Sequence, residues 1–171
     1  MAGKPGRDQV NHGLGVHDPE LTVRVQCIVY AERQETEIRA KVLNADTKDL
    51  QLAPGIVKLL REQFFADPKA GTFGSWGWQQ SAIGEIGMGL IVSPGAVVNV
   101  IDLPEERRVR CRLNGDGELR YWAIGDWQRG RPHPVAPTID NWRQELHELA
   151  GELLNDFTIS IGEPVKRLTL P

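Results

Sequence analysis

Residues 21–30, L-T-V-R-V-Q-C-I-V-Y, alternate apolar and polar with a period of two. That spacing puts Leu21, Val23, Val25, Cys27 and Val29 on one face of an extended chain, which no helix can do. A strand with one oily face needs a second layer over it, so the pattern commits this part of the chain to a packed sheet. The following segment repeats the logic. Ile38, Ala40 and Val42 face inward, Glu37, Arg39 and Lys41 face outward, and the short spacer 32–36 suits a hairpin.

Further strands are predicted at 72–80, at 87–93 and at 97–101 after a Pro-Gly turn, with two more flanking N-G-D-G. Residues 56–65, I-V-K-L-L-R-E-Q-F-F, are two-sided. Ile56, Leu59, Leu60 and Phe64 have helical spacing, whereas a strand here would carry apolar residues on both faces. Thr138 caps a helix running to about residue 155, with Asp140 in its first turn and a stripe of Ile139, Trp142, Leu146, Leu149, Ala150 and Leu153. A final strand is expected at F-T-I-S-I-G, residues 157–162. The fold class is therefore mainly β: an antiparallel β-sandwich with one C-terminal amphipathic helix. Residues 1–19 form an N-terminal arm, 20–163 the domain and 164–171 a tail.

The chain of 171 residues carries 20 Lys and Arg against 23 Asp and Glu, a net charge of -3. That balance argues against nucleic acid as a partner. No apolar run approaches the roughly 18 residues of a membrane span. The opening M-A-G-K-P-G-R-D-Q-V-N-H has no apolar core, so no signal peptide is expected on this chain. The two cysteines, Cys27 and Cys111, fall mid-strand and read as buried free thiols, with a disulfide as the alternative.

The Arg-rich segments around N-G-D-G allow a register to be deduced. A three-residue loop, Gly115-Asp116-Gly117, places Gly117 at the left-handed position. The pairs then run Leu113/Leu119, Cys111/Tyr121 and Val109/Ala123 on an apolar face, with Arg112/Arg120 and Arg110/Trp122 on the other. Facing arginines repel, so an acid such as Glu118, stacking of Arg110 on Trp122, or an anionic ligand should offset them. Arg110, Arg112 and Arg120 are thus candidate carboxylate holders, and a solvated face with local ion pairs is the alternative.

Four tryptophans, Trp76 and Trp78 in G-S-W-G-W and Trp122 and Trp127 in Y-W-A-I-G-D-W, lie at strand ends and Gly-rich turns. There they are either sugar platforms or core plugs. Glu85, in I-G-E-I-G-M-G, and Asp126, beside Trp127, are the candidate catalytic carboxylates, since an aromatic neighbour can raise a carboxyl pKa. His12, His17 and Asp18 offer metal-ligating atoms with no regular element to fix them, so no metal or other cofactor is assigned.

Several of these stretches resemble a bacterial family described as domain of unknown function 4861. They are L-A-P-G-I-V-K-L, G-S-W-G-W-Q-Q, G-E-I-G-M-G-L-I-V, L-R-Y-W-A-I-G-D-W and the final I-D-N-W-R-Q-E-L-H-E-L-A-G-E-L-L-N-D-F-T-I-S-I. The likeness spans about residues 20–163 and corresponds to the C-terminal half of a usual member. It implies half of a galactose-mutarotase-like β-supersandwich and a place in polysaccharide utilisation, often periplasmic or secreted. It also implies a strand rather than a helix at 56–65, which is the reading adopted. No catalytic residue transfers.

The expected function is a carbohydrate-associated β-sandwich that binds or processes acidic polysaccharide. As an enzyme it would be a polysaccharide lyase or glycoside hydrolase. The alternative is a non-catalytic structural or assembly module whose exposed sheet edge pairs with another chain, a second copy included.

Overall fold

Period-two segments pair as antiparallel strands throughout the computed structural model, which describes residues 21–80, 83–130 and 138–155. A hairpin of β1 (Val23–Val29) and β2 (Thr36–Val42) comes first. The short strands β3 (Gln51–Leu52) and β4 (Gly55–Val57) follow, then β5 (Leu60–Asp67), β6 (Thr72–Gln80) and β7 (Gly84–Val92). After a single 3-10 turn at Pro94–Ala96 come β8 (Val97–Asp102), β9 (Glu106–Arg112), β10 (Glu118–Trp127) and the helix α1 (Ile139–Leu153). The predicted final strand at 157–162, the arm, the tail and the His12, His17 and Asp18 group lie outside the described residues. The 56–65 segment is extended, as β4 and β5, so its partners override its helical spacing.

The larger sheet has the order β1-β2-β10-β7-β6-β5. The smaller places β3 and β4 along one side of β9 and β8 on the other. The larger sheet is the middle layer of three. One face packs on the small sheet through Ile56, Phe73, Leu90, Val92, Val109, Cys111 and Leu119. Its other face packs on α1 through Phe65, Trp76, Ile91, Trp122, Ile124, Trp142, Leu146 and Ala150. That double burial explains why β6 and β7 lack polar alternation: a strand covered on both sides reads as a continuous small-and-apolar run.

The helix needs a floor, and glycine supplies it. Gly74 and Gly89 are cross-strand partners. A Cβ on either would lie 2.8 or 2.7 Å from Leu146 Cδ1, so both must be glycine for the helix to seat this deeply. Thr138 caps α1 as expected, its hydroxyl accepting the Asn141 N–H at 3.2 Å. The indole of Trp142 donates to the Met88 carbonyl at 3.2 Å.

Two expectations are overturned. The loop at Gly115-Asp116-Gly117 does turn as deduced, with Gly117 at φ 73 and its N–H on the Asn114 carbonyl. Yet β9 and β10 do not pair. The chain crosses from the small sheet to the large one at this turn, so Val109 and Cys111 meet Leu119, Tyr121 and Ala123 face to face across the sandwich. Arg112 pairs beside Gln51 and Arg110 beside Asn99, whereas Arg120 lies beside Arg39. Arg110 and Arg112 therefore leave one outer side of the sandwich and Arg120 the other. The second correction concerns β1. Its row of Val23, Val25, Cys27 and Val29 is exposed, because the small sheet does not extend over this edge. Cys111 is the buried thiol, and burial pushes its pKa up to about 11; Cys27 is an exposed one.

Candidate functional site

The outer strand β5 is bent by a bulge. Its register to β6 jumps between Leu60, opposite Trp78, and Gln63, opposite Trp76, so Arg61 and Glu62 together face Gly77. A Cβ on Gly77 would lie 2.8 Å from Glu62 Cα; glycine makes room for the bulge. Two groups draw the Glu62 carboxylate inward. The Leu59 N–H donates to it at 3.1 Å, and the guanidinium of Arg107 on β9 pairs with it. Arg107 itself lies over the Phe64 ring at 4.3 Å. With Glu62 held, Arg61 is left in the left-handed region at φ 51. A non-glycine residue there carries strain of roughly 1–2 kcal/mol, and such residues cluster at functional sites.

Beside the bulge is an open pocket of about 270 Å³ lined by Leu60, Arg61, Trp78 and Gln80. It is small for a ligand site, where roughly 300–1,000 Å³ is usual, and suits a single ring rather than a long chain. Its exposed lining is almost wholly apolar, made by the half-buried Trp78 indole and the carbon atoms of Leu60, Arg61 and Gln80. Such a lining can stack on the C–H face of a sugar ring.

Next along the row is Glu85, the direct cross-strand neighbour of Trp78. Its Oε2 accepts the Trp76 indole N–H at 3.1 Å. Asp126 pairs with Gly87 and so shares this face with Glu85, displaced by two residues on the adjacent strand. Diagonal neighbours of this kind stand roughly 7 Å apart. The structure thus brings Trp78, Glu85 and Asp126 to one end of one face, near the start of α1.

The other sequence candidates fall elsewhere. Trp76 is 5% exposed and packs on Trp142 with ring centres 6.1 Å apart, and Trp122 is 3% exposed. Both are core, and neither can be a platform. Trp127 is exposed, but it lies opposite Ile86 on the reverse face from Trp78, and its indole donates to the Ile83 carbonyl. The stacking expected between Arg110 and Trp122 is made instead by Arg120, whose guanidinium carbon lies 4.7 Å from the Trp122 ring.

Arg120 also belongs to a cluster the sequence reading missed. Glu37 was placed facing outward, but its side chain is 1% exposed, on the face of the large sheet turned away from the small one. Glu37 Oε1 accepts from Arg39 Nε at 2.6 Å and from Arg120 Nε at 2.8 Å, and Oε2 accepts the Tyr30 hydroxyl at 2.7 Å. Burial acts to raise the Glu37 pKa. The Tyr30 hydroxyl and the two guanidiniums more than reverse that and hold it at about 2. The expected Arg112/Arg120 pair is not made; Arg120 lies beside Arg39 instead, and Glu37 offsets their like charges. Arg61 left no trace in the sequence beyond the L-L-R-E run. Its neighbour Glu62 is tied to Arg107, 45 residues away, a contact that no local pattern encodes.

Among the described residues no helix is long and apolar enough to cross a membrane, and no three His, Cys, Asp or Glu side chains gather as a metal site. No protein-family model, curated protein or solved structure matches the chain. The functional reading therefore rests on this geometry.

Proposed function

We propose that the protein is a carbohydrate-associated β-sandwich that binds an acidic saccharide in the Trp78–Arg61 pocket. One observation carries the reading: an arginine with a strained backbone stands beside a half-exposed tryptophan at a ring-sized recess. The indole supplies sequence-tolerant stacking, and Arg61 selects a uronate carboxylate over a neutral sugar. The resemblance noted in the sequence implies a place in polysaccharide utilisation, without specifying an acidic sugar. Arg110, Arg112 and Trp127 lie apart from this pocket and have no part in the proposal, and Trp76 supports it from below by fixing Glu85.

Titration with uronic-acid oligosaccharides, followed by calorimetry and tryptophan fluorescence, tests the reading. Trp78→Ala should weaken binding by at least about tenfold, or 1.4 kcal/mol. Arg61→Gly should abolish the preference for acidic over neutral sugars while the melting temperature holds or rises, because glycine relieves the left-handed strain of roughly 1 kcal/mol. Equal affinity of parent and both variants, or no binding across a panel of acidic glycans, would sink the proposal.

A lyase or hydrolase reading is favoured by the shared face of Glu85 and Asp126. It requires new reducing ends or an unsaturated-uronate absorbance on long incubation, lost in Glu85→Gln. Binding without turnover leaves the pocket as a recognition site alone.

A further inference from the structure

The large sheet ends in two strands of very different character. The β5 edge is interrupted by its bulge and by left-handed Arg61, features that discourage strand addition. The β1 edge has no such guard among the described residues. Its register to β2 is unbroken from Val23↔Val42 to Val29↔Thr36. Its row of Val23, Val25, Cys27 and Val29 is open to solvent, with Val25 at 55% and Val29 at 72% exposure.

The hydrogen-bond phase of this edge follows from one contact. The Leu43 N–H donates to the Thr22 carbonyl at 2.9 Å, so Thr22 faces β2, and Arg24, Gln26 and Ile28 follow it by alternation. The backbone amides and carbonyls of Val23, Val25, Cys27 and Val29 therefore point to the open side. They are the same residues whose side chains form the apolar row.

From this we infer that β1 is a homodimerisation strand, joining antiparallel to β1 of a second copy across a two-fold axis at Gln26. Two requirements select that register. Outward-pointing backbone groups must meet outward-pointing ones, and apolar side chains must share a face with apolar ones. Both demand that odd-numbered residues pair with odd-numbered ones, and the midpoint of Val23–Val29 is Gln26. The pairs are then Val23 with Val29 and Val25 with Cys27 on the apolar face. On the other face Arg24 lies opposite Ile28 and Gln26 opposite itself. No guanidinium faces a guanidinium, so the strand matches its own copy in polarity without setting like charges opposite each other. The two large sheets become one continuous sheet.

A seven-residue strand pair buries less than the roughly 1,600 Å² of a standard interface, so the dimer should be reversible and dependent on concentration. Light scattering of the full chain between about 1 and about 200 µM should show the mass rising from 19.1 kDa toward twice that value. Val25→Lys, a charge in the middle of the row, should weaken association by at least about thirtyfold with an unchanged circular dichroism spectrum.

The register has its own readout. Gln26→Cys in a Cys27→Ser background should form a disulfide-linked dimer under mild oxidation, since facing residues of this pair lie about 4.5 Å apart at Cα. Thr22→Cys should not, because its mate would be about 26 Å away. A monomer at the highest concentration overturns the inference, even if the β1 amides prove protected by another part of the chain. So does a dimer that ignores Val25→Lys, or cross-linking that favours residue 22.

Discussion

Replacing Arg39 and Arg120 together by alanine should cost the fold about 3–5 kcal/mol at neutral pH, because Glu37 would be left buried with only the Tyr30 hydroxyl as partner. Either single replacement should cost much less, since the remaining guanidinium still reaches Oε1; the two losses are therefore not additive. Glu37→Gln should be milder than the double variant. Arg39 and Arg120 are 39% and 50% exposed and can turn to water once their shared carboxylate is gone.

The pH dependence has a definite sign. The Glu37 carboxyl sits at about 2 in the fold against an ordinary 4.5. Its contribution, on the order of 3 kcal/mol, is fully present above pH 4.5 and is lost as the pH falls from there through 2. In the double variant the buried, unpaired carboxyl has its pKa raised instead, so that chain is hurt most at neutral pH and recovers as Glu37 takes up a proton. The stability gap between parent and variant should thus narrow steadily between pH 7 and pH 4. Denaturant titrations across that range decide the matter. A gap below about 1 kcal/mol at pH 7, or one that does not move with pH, would show that the cluster does not hold Glu37 ionised.

The seat of α1 should be nearly as sensitive. Leu146→Ala empties the recess above Gly74 and Gly89 and should cost about 2–5 kcal/mol. Gly89→Val fills the same recess from below, and since the added carbons meet Leu146 the helix must lift off the sheet. A comparable loss follows, with helical signal melting ahead of strand signal. A double-mutant cycle separates contact from coincidence. Gly89→Ala should be harmful in the parent yet close to neutral in the Leu146→Ala chain, where its methyl group occupies vacated space. A coupling of about 1 kcal/mol or more is expected, and strict additivity would mean that the helix does not rest where it is described.

Much of this architecture is legible in the residues. Period-two alternation marks β1 and β2, and the Thr138 cap with the Trp142–Leu146–Ala150 stripe marks α1. What alternation encodes is which side of a strand is wet. It does not encode which strand lies alongside, and β9 and β10 show the difference. Leu113, Leu119, Cys111 and Tyr121 meet as the pattern demands, but through the thickness of the sandwich. Their arginines go to opposite outer faces for the same reason. The site was half readable. Trp78 and Glu85 fall together as strand neighbours, whereas Trp76, two residues before Trp78 on the same face, lies under α1 and becomes core. Helix placement, a long-range matter, separates the half-exposed Trp78 from the buried Trp76. Arg61 was invisible because no local pattern encodes a left-handed residue beside Glu62, whose partner Arg107 lies on another sheet. Glu37 was read only as facing outward, because alternation knows nothing of the two long side chains and the tyrosine that close over it.

The middle position of the large sheet has a consequence for how the molecule breathes. Strand β7 is hydrogen-bonded on both sides, to β10 and β6, and roofed on both faces. Its amides can meet solvent only when both layers open at once, so deuterium should enter them at the rate of global unfolding. Amides at the outer edge of β1 should fill first at low concentration, and the ratio of the two rates would report the free energy that separates local fraying from cooperative opening.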